Sequence, residues 1–194
     1  LNELNFFVNN TNISAFDALL NANFKNLLLY GPEKSGKSFL AQIWLKQNNA
    51  VEFKNNTEDI ITNKKNVLID EINNFKQEDI FYIINNSILN QSKILITSNK
   101  KINEINFQFN DLSSRLKTFN YFEIYKPNDE MLITILTKLL TDKQFIINSN
   151  EIFNYIIKRV DRSYKGIYDI VNKIDLLSLE KKRQLTVPLI KEIL

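Results

Sequence analysis

NLLLYGPEKSGKSFLAQIWLKQ, residues 26–47, is the stretch on which the fold turns. NLLLY (26–30) is a short, continuous apolar run of strand length and reads as a buried strand. Residues 38–47 have helical character. Between them, GPEKSGKS (31–38) matches the spacing G-x-x-x-x-G-K-[ST]. The chemistry explains the pattern. Gly31 and Gly36 let the backbone curl until its N–H groups face phosphate oxygens, and the helix that opens here adds the positive end of its dipole. Lys37 is then placed to reach the β- and γ-phosphates and the Ser38 hydroxyl to join a Mg²⁺ shell. A chance turn before a helix is the alternative. It does not explain why two of the chain's three glycines stand at the motif's two glycine positions. The expected ligands are ADP or ATP with Mg²⁺.

Working outward, apolar runs recur at 50–53, 66–70, 93–97 and 120–124. QEDIFYIINNSILN (77–90) places Ile80, Ile83, Ile84 and Ile88 on one helical face. Strands alternating with helices predict an α/β core with a five-stranded parallel sheet between helices. Beyond Pro127 the strand pattern stops. Helical spacing appears at 129–140, with Asp129 as the expected N-cap, and again at 149–160, 165–180 and 187–194, the last with Pro188 in its first turn. The expected division is a nucleotide-binding core, 1–126, and a small all-helical domain, 127–194. No internal repeat is present.

NVLIDEI (66–72) is an apolar strand ending in two carboxylates. Alone, such an ending is a strand meeting solvent. Downstream of the glycine loop it assigns Asp70 to Mg²⁺ and Glu71 to polarising the attacking water. KILITSN (93–99) ends in Asn99, which reads either as a turn former or as the group that orients that water. DLSSRL (111–116) holds Arg115, by itself an ordinary solvated arginine. Lys165, in DRSYKGIYDIV (161–171), reads equally as a surface lysine or as one that folds back on phosphate.

Composition removes several other chemistries. There is no Cys, so disulfides are excluded, and no His, which excludes imidazole zinc sites, His general bases and Ser-His-Asp triads. A net charge of +3 is too mild to argue for nucleic acid or membrane. No apolar run reaches the ~18 residues of a membrane span, and no signal-peptide pattern opens the chain, so a cytoplasmic protein without membrane association is expected. The scattered Asn residues fit an AT-rich genome better than a prion-like tract. Leu1 is not Met, so residues are expected to precede it.

Together these pieces resemble the AAA+ ATPases. Walker A is 31–38, Walker B is 67–71, sensor 1 is Asn99, the arginine finger is Arg115, and sensor 2 is Lys165, where the family commonly has Arg. More narrowly, the chain resembles the DnaA branch. NFFVNNTNISAFDALL (5–20) is similar to the segment that brackets adenine there, LSSRL is similar to the arginine-finger box, and RQLTVPLIKEIL (183–194) resembles the terminus of the Hda family of DnaA regulatory inactivators. The resemblance implies nucleotide contacts from Phe7, Val8, Gly31, Pro32, Glu33, Lys34, Ser35, Gly36, Lys37, Ser38, Phe39 and Lys165. It implies catalytic roles for Glu71, Asn99 and Arg115, and metal ligation by Ser38 and Asp70. It implies a helical lid after the core. The partners it implies are the initiator DnaA and the sliding clamp, with self-association through AAA+ surfaces. No residues after Leu194 supply a helix-turn-helix domain, so weak DNA binding without sequence preference is expected. No Gln-Leu clamp-binding peptide is visible before Asn5. The alternatives are the AAA+ domain of DnaA itself and a helicase-loader-type ATPase.

Overall fold

The computed structural model describes residues 6–20, 24–54, 58, 60, 64–147 and 150–194. Asn5, which opens the adenine-bracketing segment, and Ser149, the expected start of a helix, lie outside these. The first unit runs to Tyr125. The second is Lys126–Leu194, together with Glu33–Ser35.

In the first unit the order is α1 (Ile13–Leu20), β1 (Asn26–Tyr30), α2 (Lys37–Gln47), β2 (Val51–Glu52), β3 (Val67–Ile69), α3 (Gln77–Leu89), β4 (Ile94–Ser98), α4 (Asn110–Leu116) and β5 (Asn120–Glu123). The five strands form one parallel sheet ordered β2-β3-β4-β1-β5. Parallel strands covered on both faces have no solvent side, which is why β1 reads Leu-Leu-Leu without alternation. Leu27, Leu28 and Leu29 are all at most 1% exposed, and each buried leucine contributes about 1.5–3 kcal/mol. α1 packs against α2 and β5, and α2 against β3 and β4.

The register sets the site. β1 pairs with β4 as Leu29↔Thr97 and Tyr30↔Ser98, and β3 with β4 as Ile69↔Ile96. Thr97 therefore stands beside Asp70, and Gly31 follows β1 at the same carboxyl end of the sheet, where ligands of α/β sheets bind.

The α3 helix departs from its expected face at one position. Ile80, Ile83 and Ile84 are buried, but Ile88 is 39% exposed and Ser87 takes the inner position. The 3.6-residue period explains this: i, i+3, i+4 and i+7 share a stripe, and i+8 lies at its edge.

The second unit is helical: α5 (Asp129–Asp142), α6 (Asn150–Ile157), α7 (Tyr164–Lys181) and α8 (Val187–Ile190). Leu132, Leu136, Ile156, Ile167, Ile174 and Ile190 form its centre, all fully buried. The cap of α5 is Asn128 rather than Asp129; its side chain accepts from the Met131 N–H at 2.9 Å. Ser163 caps α7 and Thr186 caps α8. Pro188 stands in the first turn of α8, which is one turn long, shorter than its sequence pattern predicts. Among the described residues no helix is long and apolar enough to cross a membrane.

Candidate nucleotide-binding site

The loop after β1 begins at Gly31, whose N–H donates to the Ser98 carbonyl at 3.2 Å. A Cβ here would lie 2.5 Å from the Ile124 carbonyl oxygen, so the close approach of the loop to the sheet requires glycine. Gly36 is the N-cap of α2 with φ +95, a left-handed conformation that other residues rarely hold. It supplies no side-chain cap, so the first N–H groups of α2 have no side-chain acceptor at the cap position. The Ser35 hydroxyl is buried without a hydrogen-bond partner. A buried hydroxyl without a partner at the N-terminal end of a helix is an arrangement that a phosphate oxygen would complete.

Lys37 is 6% exposed. Its ammonium donates to the Gly31 carbonyl at 2.9 Å, the Pro32 carbonyl at 2.8 Å and Asn99 Oδ1 at 2.7 Å. Its three hydrogens thus meet three acceptors, which is how a buried cation is tolerated. Ser38 Oγ donates to Asp70 Oδ1 at 3.1 Å. This pair offers two hard oxygens of the kind Mg²⁺ takes, with its other positions left to water and phosphate.

Past β3 the chain turns sharply. Glu71 has φ +62, uncommon for a non-glycine residue. Thr97 holds this turn: its hydroxyl donates to Asp70 Oδ1 at 2.7 Å and accepts from the Glu71 N–H at 2.7 Å. Glu71 Oε1 accepts from Asn73 Nδ2 at 2.8 Å and lies 3.5 Å from the Asn99 N–H. Lys37, Ser38, Asp70, Glu71 and Asn99 are therefore one connected group. Beside it, Tyr30 donates to Glu123 at 2.9 Å. Burial and that carboxylate push the Tyr30 phenol up to about 12, so it remains a neutral donor.

The remaining candidates lie in other surroundings. Phe7 is 38% exposed. Its neighbour Phe6, part of the adenine-bracketing segment but not singled out within it, stacks on Phe39 at 5.8 Å and on Phe16 at 6.0 Å, and covers Gly36. Val8 is half-buried. Arg115 is half-buried on α4 and lies over the Phe81 ring of α3 at 5.8 Å. In the second unit Lys165, in the first turn of α7, donates to Glu33 at 3.0 Å, and this carboxylate raises the Lys165 pKa. Lys34, with φ +64, lies 5.9 Å over the Tyr168 ring. Thr97 and Asn73 carried no expectation from the sequence, and Phe6 carried one only as part of the 5–20 segment. The signal for Thr97 was present: a hydroxyl near the end of an otherwise apolar buried strand.

The glycine loop after β1, the carboxylates after β3, the polar end of β4, the strand order and the helical second unit together make the AAA+ form of the P-loop fold. Residues 129–194 match the family described as "Hda, lid domain", in line with the resemblance to the DnaA branch. Domain III of the Thermotoga maritima replication initiation protein DnaA superposes with a TM-score of 0.79 at 20% identity, over 98% of this chain and 94% of that one. AMPPCP-bound DnaA from Aquifex aeolicus gives 0.68 at 18%, over 91% of this chain and 65% of that one. A Thermotoga maritima RuvB variant gives 0.71 at 15%, over 97% and 70%. These likenesses speak for the fold. An uncharacterized protein of Haemophilus influenzae is 29% identical over 101 residues, 52% of this chain. The chain matches 43% of the length of that curated relative.

Proposed function

We propose that this protein is an Hda-like regulator of chromosomal replication initiation. In this reading it binds ADP or ATP with Mg²⁺ at the P-loop and, with the DNA polymerase sliding clamp, promotes ATP hydrolysis by DnaA. The observation that carries the reading is the match of the second unit to the Hda lid. The phosphate-ready loop and the nucleotide analogue on the similar Aquifex DnaA support the ligand.

The N–H groups of α2 and the Lys37 ammonium bind phosphate oxygens. Ser38 and Asp70 hold Mg²⁺, which supplies charge neutralisation on the phosphates when bound. Asn99 and Glu71, already in reach of one another, orient a water and give weak intrinsic hydrolysis. Arg115 acts in trans, on the ATP held by DnaA. Phe7, Val8 and Phe39 line the base, and Lys165 attends the phosphates from the lid. The protein works in the cytoplasm, associates with DnaA and with its own copies through AAA+ surfaces, and binds DNA weakly without sequence preference. A second reading, the AAA+ domain of an initiator DnaA, is favoured by the 98% coverage against DnaA domain III.

The test is phosphate release by DnaA on clamp-loaded duplex DNA with this protein added. An arginine finger is worth ~10³–10⁵ in rate. Arg115→Ala is expected to abolish the stimulation and leave this protein's own ADP binding intact, with little rescue by Arg115→Lys, because a point charge lacks the guanidinium fork. Undiminished stimulation by Arg115→Ala excludes the finger role. Loss with Glu71→Gln alone shows a protein that works by its own hydrolysis.

A further inference from the structure

We propose that Thr97 is a positioning residue for the metal and nucleotide site, setting both acidic groups of the site with a single hydroxyl. The inference rests on the P-loop reading above and adds a residue to it.

Thr97 is 1% exposed, next to last in β4. The direction of its two hydrogen bonds follows from chemistry. The Glu71 N–H can only donate, so the threonine oxygen accepts there at 2.7 Å. Its own hydrogen is then free for Asp70 Oδ1, also at 2.7 Å, and an ionised carboxylate can only accept. A hydroxyl has one hydrogen and lone pairs to spare, so both bonds form at once.

Each bond does separate work. The first holds the N–H of a non-glycine residue at φ +62, a conformation that persists only where its surroundings fix it. That fixes where the Glu71 carboxylate emerges, beside Asn73 and Asn99. The second holds Asp70 Oδ1 from the strand side while Ser38 Oγ, 3.1 Å away, meets the same oxygen from α2. The carboxylate is thereby kept toward the hydroxyl with which it would share Mg²⁺. Asp70 and Glu71 are adjacent in sequence, and one neighbouring strand sets them both. Valine at this position would keep the shape, leave the Glu71 N–H without its partner and release Asp70 from one side.

Buried in β4, the Thr97 hydroxyl is engaged by Glu71 and Asp70. Its effect is expected on what Mg²⁺ adds to nucleotide binding, and not on binding without metal. The experiment is a fluorescence titration of the full chain with N-methylanthraniloyl-ADP, in excess MgCl₂ and in EDTA, with a thermal melt of each variant. Loss of one charge-assisted bond predicts that Thr97→Val lowers the Mg²⁺ enhancement about tenfold. Affinity in EDTA should stay within about twofold, and Thr97→Ser, which keeps the hydroxyl, should restore the enhancement. A folded Thr97→Val with the wild-type enhancement overturns the proposal. So does an equal loss with and without Mg²⁺, which is the mark of general damage, and so does failure of Thr97→Ser to restore the enhancement. If Thr97→Val does not fold, Thr97→Ser against Thr97→Ala decides: enhancement kept by Ser and lost by Ala supports the proposal, and any other pattern overturns it. Wild-type protein that binds no nucleotide under either condition defeats the P-loop reading itself, a result distinct from all of these.

Discussion

Lys37 and Lys165 carry the same charge and sit in opposite surroundings. Lys37 is 6% exposed, and two of its three acceptors are carbonyls of its own loop. The Lys165 side chain is 55% exposed and pairs with the Glu33 carboxylate. The first lysine is held by backbone that the motif itself generates: Gly31 and Gly36 allow the curl, and the curl brings the carbonyls around the ammonium. The second depends on whichever side chain stands opposite. A cation caged by local backbone is specified by spacing, and a cation on an exposed helix turn is not.

The largest expected effect tests the caged lysine. Lys37→Ala removes charge-assisted bonds to phosphate worth about 1.5–3 kcal/mol each, so two of them predict a loss of about 10²–10⁴ in ADP affinity by titration calorimetry. Near wild-type affinity would show that the loop, despite its form, does not bind phosphate.

Gly36→Ala sharpens the comparison from the backbone side. Its φ of +95 is strained for alanine, and the new Cβ would lie 2.6 Å from the Phe6 ring. The expected cost is about 1–3 kcal/mol in urea unfolding. Placing it in a Phe6→Ala background should return the part due to the clash and keep the part due to φ; equal losses in both backgrounds would deny the ring any role.

The smallest effect belongs to the lid lysine. Exposed ion pairs contribute little, so Lys165→Ala should leave the melting temperature unresolved from wild type and change ADP affinity less than about fivefold. The Lys165 pKa is raised by Glu33, so at neutral and alkaline pH the lysine's contribution to the pair is present up to pH 10.5 and is lost only as the pH climbs through the raised value. A large affinity loss at neutral pH would show that Lys165 leaves Glu33 for the ligand and would narrow its contrast with Lys37.

The same division governs what could be read from the sequence. β1 matches its sequence pattern residue for residue, because NLLLY is bounded by a motif on one side and has no alternative period. All five strands are recoverable within a residue or two, and so is the change to helices after Pro127. What escaped depends on placement across the sheet or on a single turn of phase. Thr97 gains a role only because Ile69 pairs with Ile96, which brings Asp70 beside it. Phe6 matters because it reaches Gly36, thirty residues along the chain. Ile88 and Ser87 exchange places over one step of the helical period. Asn128 displaces Asp129 as cap because the cap must lie outside the helix with extended backbone, here φ −83 and ψ 176. Arg115 is an arginine on a short helix in either reading, and its place over Phe81 is a tertiary fact.

The strand order also has a consequence for the order of synthesis. β1 is made before β2 and β3, yet it pairs with neither. Its neighbours are β4 and β5, with Asn26 opposite Ile94 and Leu27 opposite Asn120. A ribosome therefore releases Leu27, Leu28 and Leu29, a buried apolar triplet of the sheet, long before either flanking strand exists. Until residues 94–98 emerge, these leucines have no partner strand. Parallel sheets close slowly for this reason, and their central strands are the segments most exposed to misassembly while they wait. In this protein the segment that waits is the one that carries the P-loop.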